Sequence, residues 1–424
     1  MPRAEPPPPL FTTAGPDSFP LRSIRDRHTA ALLSVIEENA VEDPYRSRLL
    51  ALRREALSGR LSDPFAGEGW DASLFAAQEL ADWRRQLDPW VGRSWYELPW
   101  YFAEAFFFLA LLLAFGYYEA HGPHRLKDPF AGTKRRELER PGGGLEAARG
   151  LAPLLDDPSP PEAPRDLLLA SLWGNRVDLS IQDLAGTYRG SFLRHDAREL
   201  LIDHREEAAE RLVSSNRIDF ILDNSGPELV CDLLLASWLL RQDSRRRVLL
   251  HAKRHPIYVS DATPADVQAA IEALAGSAEP AVRSIGRFLR RQKEEGRLAV
   301  REHWFWNGPL FFPDLTSDLR RELSGSDLVL IKGDANYRRL LTDRKWPPTT
   351  RMEALTGYFP APLAVLRTLK SELVIDLEPG QAERLDREDP EWRTNGRRGM
   401  IRVAAAVPSE PQLRSARAEL RRPR

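Results

Sequence analysis

Residues Arg217 to Leu240, RIDFILDNSGPELVCDLLLASWLL, constrain the fold more than any other stretch of this chain. An apolar run of strand length, Ile218 to Leu222, stops at Asp223-Asn224-Ser225-Gly226, and a helix-length apolar pattern begins straight after Pro227. Strand, polar tip and helix follow without a linker, which is the unit from which α/β sheets are built. In such sheets the carboxyl ends of the strands face the ligand crevice. Ser225 and Glu228 have capping-box spacing and Pro227 suits a first turn, so the helix is expected to start here with free backbone N–H groups. A helix N-terminus beside a carboxylate can hold an anion and a metal together. Taken alone, the same residues also read as an ordinary turn and cap, so the rest of the chain has to decide.

The pattern recurs downstream. Short apolar runs at Ile218–Leu222, Val248–Leu250, Ile257–Val259, Leu298–Val300, Leu328–Ile331 and Leu373–Ile375 alternate with helical patterns. This predicts a largely parallel sheet with helices on both faces. Upstream, helical spacing at Leu21 to Asn39, Ser47 to Leu57, Ala72 to Leu87 and Trp100 to Tyr118 predicts a helical layer. From about His121 to Arg165 the chain is rich in Pro, Gly and charge, which reads as a surface excursion outside the core. The expected organisation is a disordered Pro-rich N-terminus (1–20), a helical region with a Pro/Gly-rich loop near its end (21–165), an α/β domain (166–403) and a basic tail (404–424). The tail is expected to be solvated.

Composition narrows the function. With 61 basic and 62 acidic residues the net charge is −1, giving no bulk electrostatic case for nucleic acid or an anionic membrane. A small-molecule partner is expected instead. Cys231 is the one cysteine, which excludes intrachain disulfides and Cys-rich zinc sites. The start of the chain lacks the apolar core of a secretory signal, so a cytoplasmic location is the default expectation. The apolar run Ala105 to Phe115 is shorter than the roughly 20 residues of a membrane span and is expected to be a buried helix. There is no Walker loop, no dinucleotide fingerprint, no Gly-x-Ser-x-Gly elbow and no His-Glu-x-x-His. The eight histidines show no metal-ligand spacing and are expected to be structural.

The polar groups after the predicted strands carry the chemistry. The first strand stops at Asp223-Asn224, the third at Ser260-Asp261-Ala262-Thr263, and the fifth at Lys332-Gly333-Asp334-Ala335-Asn336-Tyr337-Arg338; Arg367-Thr368-Leu369-Lys370 precedes the sixth. Neighbouring strands lie roughly 5 Å apart, so carboxylates at two adjacent ends can share one ion. Asp223, Asn224 and Asp261 offer hard oxygen ligands that suit Mg²⁺ or Mn²⁺ and leave room for water and substrate. Lys332, Arg338 and Lys370 add positive charge at the same edge, Arg338 with a fork that matches a phosphate.

These segments resemble the damage-control phosphatases, in the subfamily also described as acidic-residue methyltransferase-like. Asp223-Asn224-Ser225-Gly226-Pro227-Glu228 is similar to that family's Asp-Asn-Ala-Gly-x-Glu, Val259-Ser260-Asp261 to its Val-Ser-Asp, and Lys332 to Arg338 to its Lys-Gly-Asp-x-Asn-Tyr-Arg. Arg367-Thr368-Leu369-Lys370 matches Arg-Thr-x-Lys; Trp173-Gly174-Asn175 with Asp178-Leu179-Ser180, and Pro99-Trp100 with Ala103-Glu104, are further similarities. The likeness runs from about residue 20 to residue 403, with Ser225 in place of the usual alanine and Ala335 in place of a larger apolar residue.

The resemblance implies a helical N-terminal region packed on an αβα sandwich, and metal-dependent hydrolysis of small sugar phosphates such as fructose 1-phosphate. It implies Asp223, Asn224 and Asp261 as catalytic metal ligands, and Glu228, Asp334, Asn336, Tyr337, Arg338 and Lys370 as the lining of the substrate site. The implied cofactor is a divalent ion, Mn²⁺ or Mg²⁺, with Co²⁺ and Ni²⁺ as further candidates. The implied partner is a small phosphorylated metabolite, and the oligomeric state is left open. Water attack and an aspartyl phosphate on Asp223 both stay open. The alternatives are S-adenosylmethionine-dependent methylation of protein carboxylates and a non-catalytic sugar-phosphate-binding protein.

Overall fold

The computed structural model describes residues 6–15, 18–67, 69–156, 158–174 and 199–405. Seven strands form one sheet: β1 (Leu200–Asp203), β2 (Arg217–Ile221), β3 (Arg247–Lys253), β4 (Leu298–His303), β5 (Leu328–Lys332), β6 (Leu363–Thr368) and β7 (Gly399–Ala404). Their order is β1-β7-β6-β5-β2-β3-β4, and every neighbouring pair is parallel except β6 with β7. From β2 the chain builds outward through β3 and β4, then returns to lay β5 and β6 on the other side of β2. The boundary between β2 and β5 is therefore a topological switch point, where a crevice opens at the carboxyl ends of the strands.

The pleat explains the strand composition. Ile218, Phe220, Leu222, Leu328, Leu330, Ala364 and Leu366 point into one core, whereas Ile221, Val329, Ile331 and Val365 point into another. Both faces are covered by helices, so the central strands are mainly apolar on both faces instead of alternating; the exception within β2 is the buried Asp219, paired with His251 of β3 at 3.0 Å. The Pro227–Gln242 helix is buried all round from Pro227 to Leu240, because helices Gly144–Leu151 and Ala163–Trp173 lie against it. The Trp100–Phe115 helix is likewise buried on every side and centres the helical layer. No described helix is long and apolar enough to cross a membrane. The architecture is the expected α/β one, a helical region packed on a largely parallel sheet.

Several local expectations fail for physical reasons. Ile257–Val259 is not a strand: Tyr258 and Val259 adopt positive φ of 51° and 69°, which makes a tight turn. Leu373–Ile375 is buried without pairing, and the sixth strand is instead Leu363–Thr368, so Arg367 and Thr368 end a strand and do not precede one. β1 and β7 were not anticipated; in β7 the buried Arg402, paired with Asp376 and Glu353, interrupts the apolar pattern. The excursion expected after His121 contains helices Ala131–Glu139, Gly144–Leu151 and Ala163–Trp173, with Leu138, Ala147, Ala148 and Leu151 in the main core. Gly144 is there for close packing, since a Cβ on it would lie 2.8 Å from Val230 Cγ2. Near the N-terminus, residues expected to be disordered are tied down: Phe11 N–H donates to Asp343 O and Thr13 N–H to Leu98 O, both at 2.9 Å. The basic tail from residue 406 and the similarity at Asn175 and Asp178 to Ser180 fall outside the described residues.

Candidate active site

Asp223 and Asn224 follow β2 directly. Asp261 arrives by a different route: after Lys253 ends β3, residues 254–263 double back and pair with the β2 tip. Lys253 N–H donates to Ala262 O (2.9 Å), Ala262 N–H to Asp223 O (2.8 Å) and Ser225 N–H to Ser260 O (2.7 Å). Asn224 and Asp261 form an isolated antiparallel bridge, so backbone bonds fix these two residues side by side. Asn307 anchors the start of the loop, accepting from Arg254 N–H at 2.7 Å and donating to His255 O at 2.7 Å. The expectation that Asp261 ends its own strand is thus corrected, although it does reach the same edge as Asp223.

The expected capping box is absent as well. Gly226, at φ 67°, is the N-cap of the Pro227–Gln242 helix and no side chain caps it. Ser225 instead spends its N–H on the Asp261 loop.

Three carboxylates, Asp223, Glu228 and Asp261, are each no more than 8% exposed in this space. Asn224 Nδ2 bridges two of them, donating to Asp223 Oδ2 (2.7 Å) and Glu228 Oε2 (2.9 Å), while Asn224 Oδ1 accepts from Ser260 Oγ. Burial, then the neighbouring Glu228 and Asp261 charges, hold the Asp223 carboxyl well above the usual range, against the pull of Lys370 and Lys253. Burial pushes Asp261 up to about 6, with Glu228 adding to the rise. The set therefore stores repulsion that a cation would relieve.

Asp261 Oδ2 is buried and accepts no hydrogen bond. A half-turn of the Asn224 amide would present its oxygen to an ion and its nitrogen to the Ser260 hydroxyl, which accepts as readily as it donates. The donor chemistry accordingly fits a hard divalent ion held by Asp223, Asn224 and Asp261. Among the described residues no group of three His, Cys, Asp or Glu side chains is arranged to hold a metal; the set here is two carboxylates and an amide.

The expected cations separate sharply. Lys332 is fully buried and pairs with Glu228 Oε1 (3.2 Å) and Asp232 Oδ1 (3.1 Å), while also donating to Ser171. It is an internal counter-charge beneath the helix N-terminus and does not reach the crevice. Arg338 forks onto Asp343 at 2.8 and 2.9 Å, also donates to Glu104, and lies 3.4 Å from the centroid of the Trp100 ring. Its fork is therefore filled by protein. Lys370 is different: its N–H donates to Asp334 Oδ1 at 3.2 Å, and among the described residues its half-buried ammonium has no hydrogen-bond or ion-pair partner.

Helical geometry explains the remaining expectations. Side chains on the Gly333–Leu340 helix fan round the axis, so only its first turn faces the crevice. Asp334 accepts from Arg367 Nε (2.7 Å) and Ser371 Oγ (3.0 Å) and so orders the turn that carries Lys370. Asn336 Nδ2 donates inward to Leu222 O (3.0 Å) and Lys332 O (2.9 Å), tying β2 to β5. Tyr337 is buried, its hydroxyl accepting from Ile375 N–H at 3.2 Å. Asn336, Tyr337 and Arg338 thus support the site from beneath.

Gly333 has φ 83°, and a Cβ on it would lie 2.0 Å from Asp223 Oδ2. Gly333→Ala is expected to displace the Asp223 carboxylate and cut turnover about 100-fold with the fold retained. Near-normal kcat with an unchanged circular dichroism spectrum would contradict that.

Two residues were missed from sequence. Lys253, within Ala-Lys-Arg-His, reads as surface charge but is buried 3.3 Å from Asp261 Oδ2. Asp232 reads as a helix polar residue but is buried against Lys332. For Asp232 the local signal was a charged residue inside an otherwise apolar run; for Lys253, among His251, Arg254 and His255, there was none.

Comparison with known proteins gives the family. Residues 24–385 match the damage-control phosphatase ARMT1-like domain. The chain is 30% identical to mouse damage-control phosphatase ARMT1 over 93% of its own length and 98% of the mouse protein's. It is 28% identical to the Xenopus laevis protein of the same name, covering 95% of this chain and 100% of that one. The zebrafish protein of that name is 37% identical over 56% of this chain and 57% of its own. A crystal structure of a DUF89 family protein from Pyrococcus horikoshii aligns with a TM-score of 0.42 at 15% identity, over 84% of this chain and 92% of that one. The chain therefore belongs to the damage-control phosphatase ARMT1-like family.

Proposed function

We propose that this phosphatase-family chain hydrolyses the phosphomonoesters of small sugar phosphates, with fructose 1-phosphate as a favoured type, by attack of water at phosphorus. The observation that carries the proposal is a Lys370 ammonium with no hydrogen-bond or ion-pair partner among the described residues, near enough to Asp223 to pull on its carboxyl, together with the Asp223, Asn224 and Asp261 donor set and a helix N-terminus that no side chain caps. Asp223, Asn224 and Asp261 would hold a divalent ion, Mn²⁺ or Mg²⁺. When bound, such an ion supplies charge neutralisation at the phosphoryl oxygens and a more acidic attacking water.

The protein's own groups do the rest. Lys370 binds a phosphoryl oxygen and stabilises the charge that spreads over them in the transition state. The first N–H groups of the Pro227–Gln242 helix point their partial positive charge toward the same place. Glu228 and Lys332 hold the Asn224 amide and the helix start in position, and Asp334 does so for Lys370.

The test is phosphate release from a panel of sugar phosphates with Mg²⁺, Mn²⁺, Co²⁺ or Ni²⁺, and with EDTA. Release that requires a metal supports the proposal, and its absence under every metal would sink it. Lys370→Ala is expected to lower kcat/KM about 100-fold while leaving metal binding intact; an unchanged kcat/KM would remove Lys370 from the phosphate site.

A further inference from the structure

Lys253 closes β3 and is 2% exposed, beneath the loop that returns with Asp261. Its Nζ donates to Trp306 O at 3.3 Å and stands 3.3 Å from Asp261 Oδ2. The second contact is an ion pair without hydrogen-bond geometry, since Oδ2 accepts no hydrogen bond. Charge on Asp261 is thus balanced while its lone pairs remain available.

The other end of the carboxylate set is built alike, with Lys332 balancing Glu228. Lys332, however, is also locked by Asp232 and Ser171, whereas Lys253 has one carbonyl and one loosely aligned carboxylate. Buried as it is, Lys253 acts through Asp261.

We infer that Lys253 is a positioning residue, the internal counter-cation that holds Asp261 in register in the metal-free protein and that a divalent ion must oppose on entering. Lys253 then sets how tightly the site holds its ion and how readily it exchanges. The inference rests on the reading of Asp223, Asn224 and Asp261 as ion ligands. Its physical basis is that a fixed positive charge beside a ligand oxygen repels an incoming cation, most strongly where water is excluded.

The test is calorimetric titration of Mn²⁺ into the metal-stripped full chain, its Lys253→Met and Lys253→Gln variants and Asp223→Asn, with thermal unfolding of each. Lys253→Met is expected to bind Mn²⁺ about tenfold or more tightly than the intact chain, to unfold at a lower temperature without metal, and to gain more from adding it. Equal or weaker affinity in Lys253→Met overturns the inference. Lys253→Gln keeps a donor for Trp306 O and covers a folding failure of the Met variant. Variants that fold only with Mn²⁺ support the inference, and variants that fold under neither condition overturn it. If the intact chain binds no Mn²⁺, the ion-ligand reading itself fails. If the intact chain binds and Asp223→Asn does not, an unchanged Lys253→Met removes this inference alone.

Discussion

Asp223→Ala is expected to cut phosphate release about 1000-fold or more and to abolish tight Mn²⁺ binding. The carboxylate sits where the β2 tip, the Asp261 loop and the β5 turn meet. Its backbone carbonyl receives Ala262 N–H, its Oδ2 receives Asn224 Nδ2, and Gly333 lacks a side chain where Asp223 passes. Glu228 is not free to substitute, because it is tied to Lys332 and Asn224.

The isosteric Asp223→Asn has an opposite consequence for stability. Burial and the neighbouring Glu228 and Asp261 charges oppose ionisation of Asp223, so Asp223→Asn replaces a carboxyl whose charged form is disfavoured in the metal-free site. Metal-free Asp223→Asn protein is expected to unfold at or above the temperature of the metal-free intact chain, while losing the stabilisation that metal confers. Asp223→Asn that kept a tenth of the activity would remove the chemical role, and unfolding well below the intact chain would show that the carboxylate also has a structural one.

Arg338→Met is expected to destabilise the chain by about 3–5 kcal/mol, the usual cost of leaving buried charges without their partner. Arg338 is 3% exposed and satisfies Glu104 from the Trp100–Phe115 helix and Asp343 from the turn after its own helix, while stacking on Trp100. It joins the helical layer to the sheet, and it accounts for the Trp100 and Glu104 similarities seen in sequence. Arg338→Lys should recover little, since an ammonium matches neither the Asp343 fork nor the ring face.

Chemical denaturation measures the loss. A change under about 1 kcal/mol, combined with a raised KM, would return Arg338 to the substrate-binding role that the family resemblance implied for it.

Much of the sheet was readable because its signals are local. An apolar run of strand length ending in Asp223-Asn224, followed by Pro227 and a helical pattern, needs no distant contact to be recognised. β5 and its Lys-Gly-Asp turn share that form. β6 was less legible because its apolar residues run on into Arg367 and Leu369, and β7 because it buries Arg402. The Gly and Pro after His121 suggested a loose surface, yet Gly144 is small so that two helices can touch. Composition cannot distinguish a glycine that frees the chain from one that lets another segment approach.

The sequence by itself determined which groups stand at the carboxyl edge of β2 and β5, because strand ends and helix starts are set by neighbours a few positions away. It could not tell Lys332, Arg338 and Lys370 apart, nor find Lys253. Only the tertiary structure decided which of these cations remains available. A charge is neutralised by whatever lies within a few ångströms, and for Arg338 one partner, Glu104, is 234 positions away, while Lys332 donates to Ser171, 161 positions away. Pairing of buried charge is a property of the folded chain, and among the described residues it leaves the Lys370 ammonium without a hydrogen-bond or ion-pair partner.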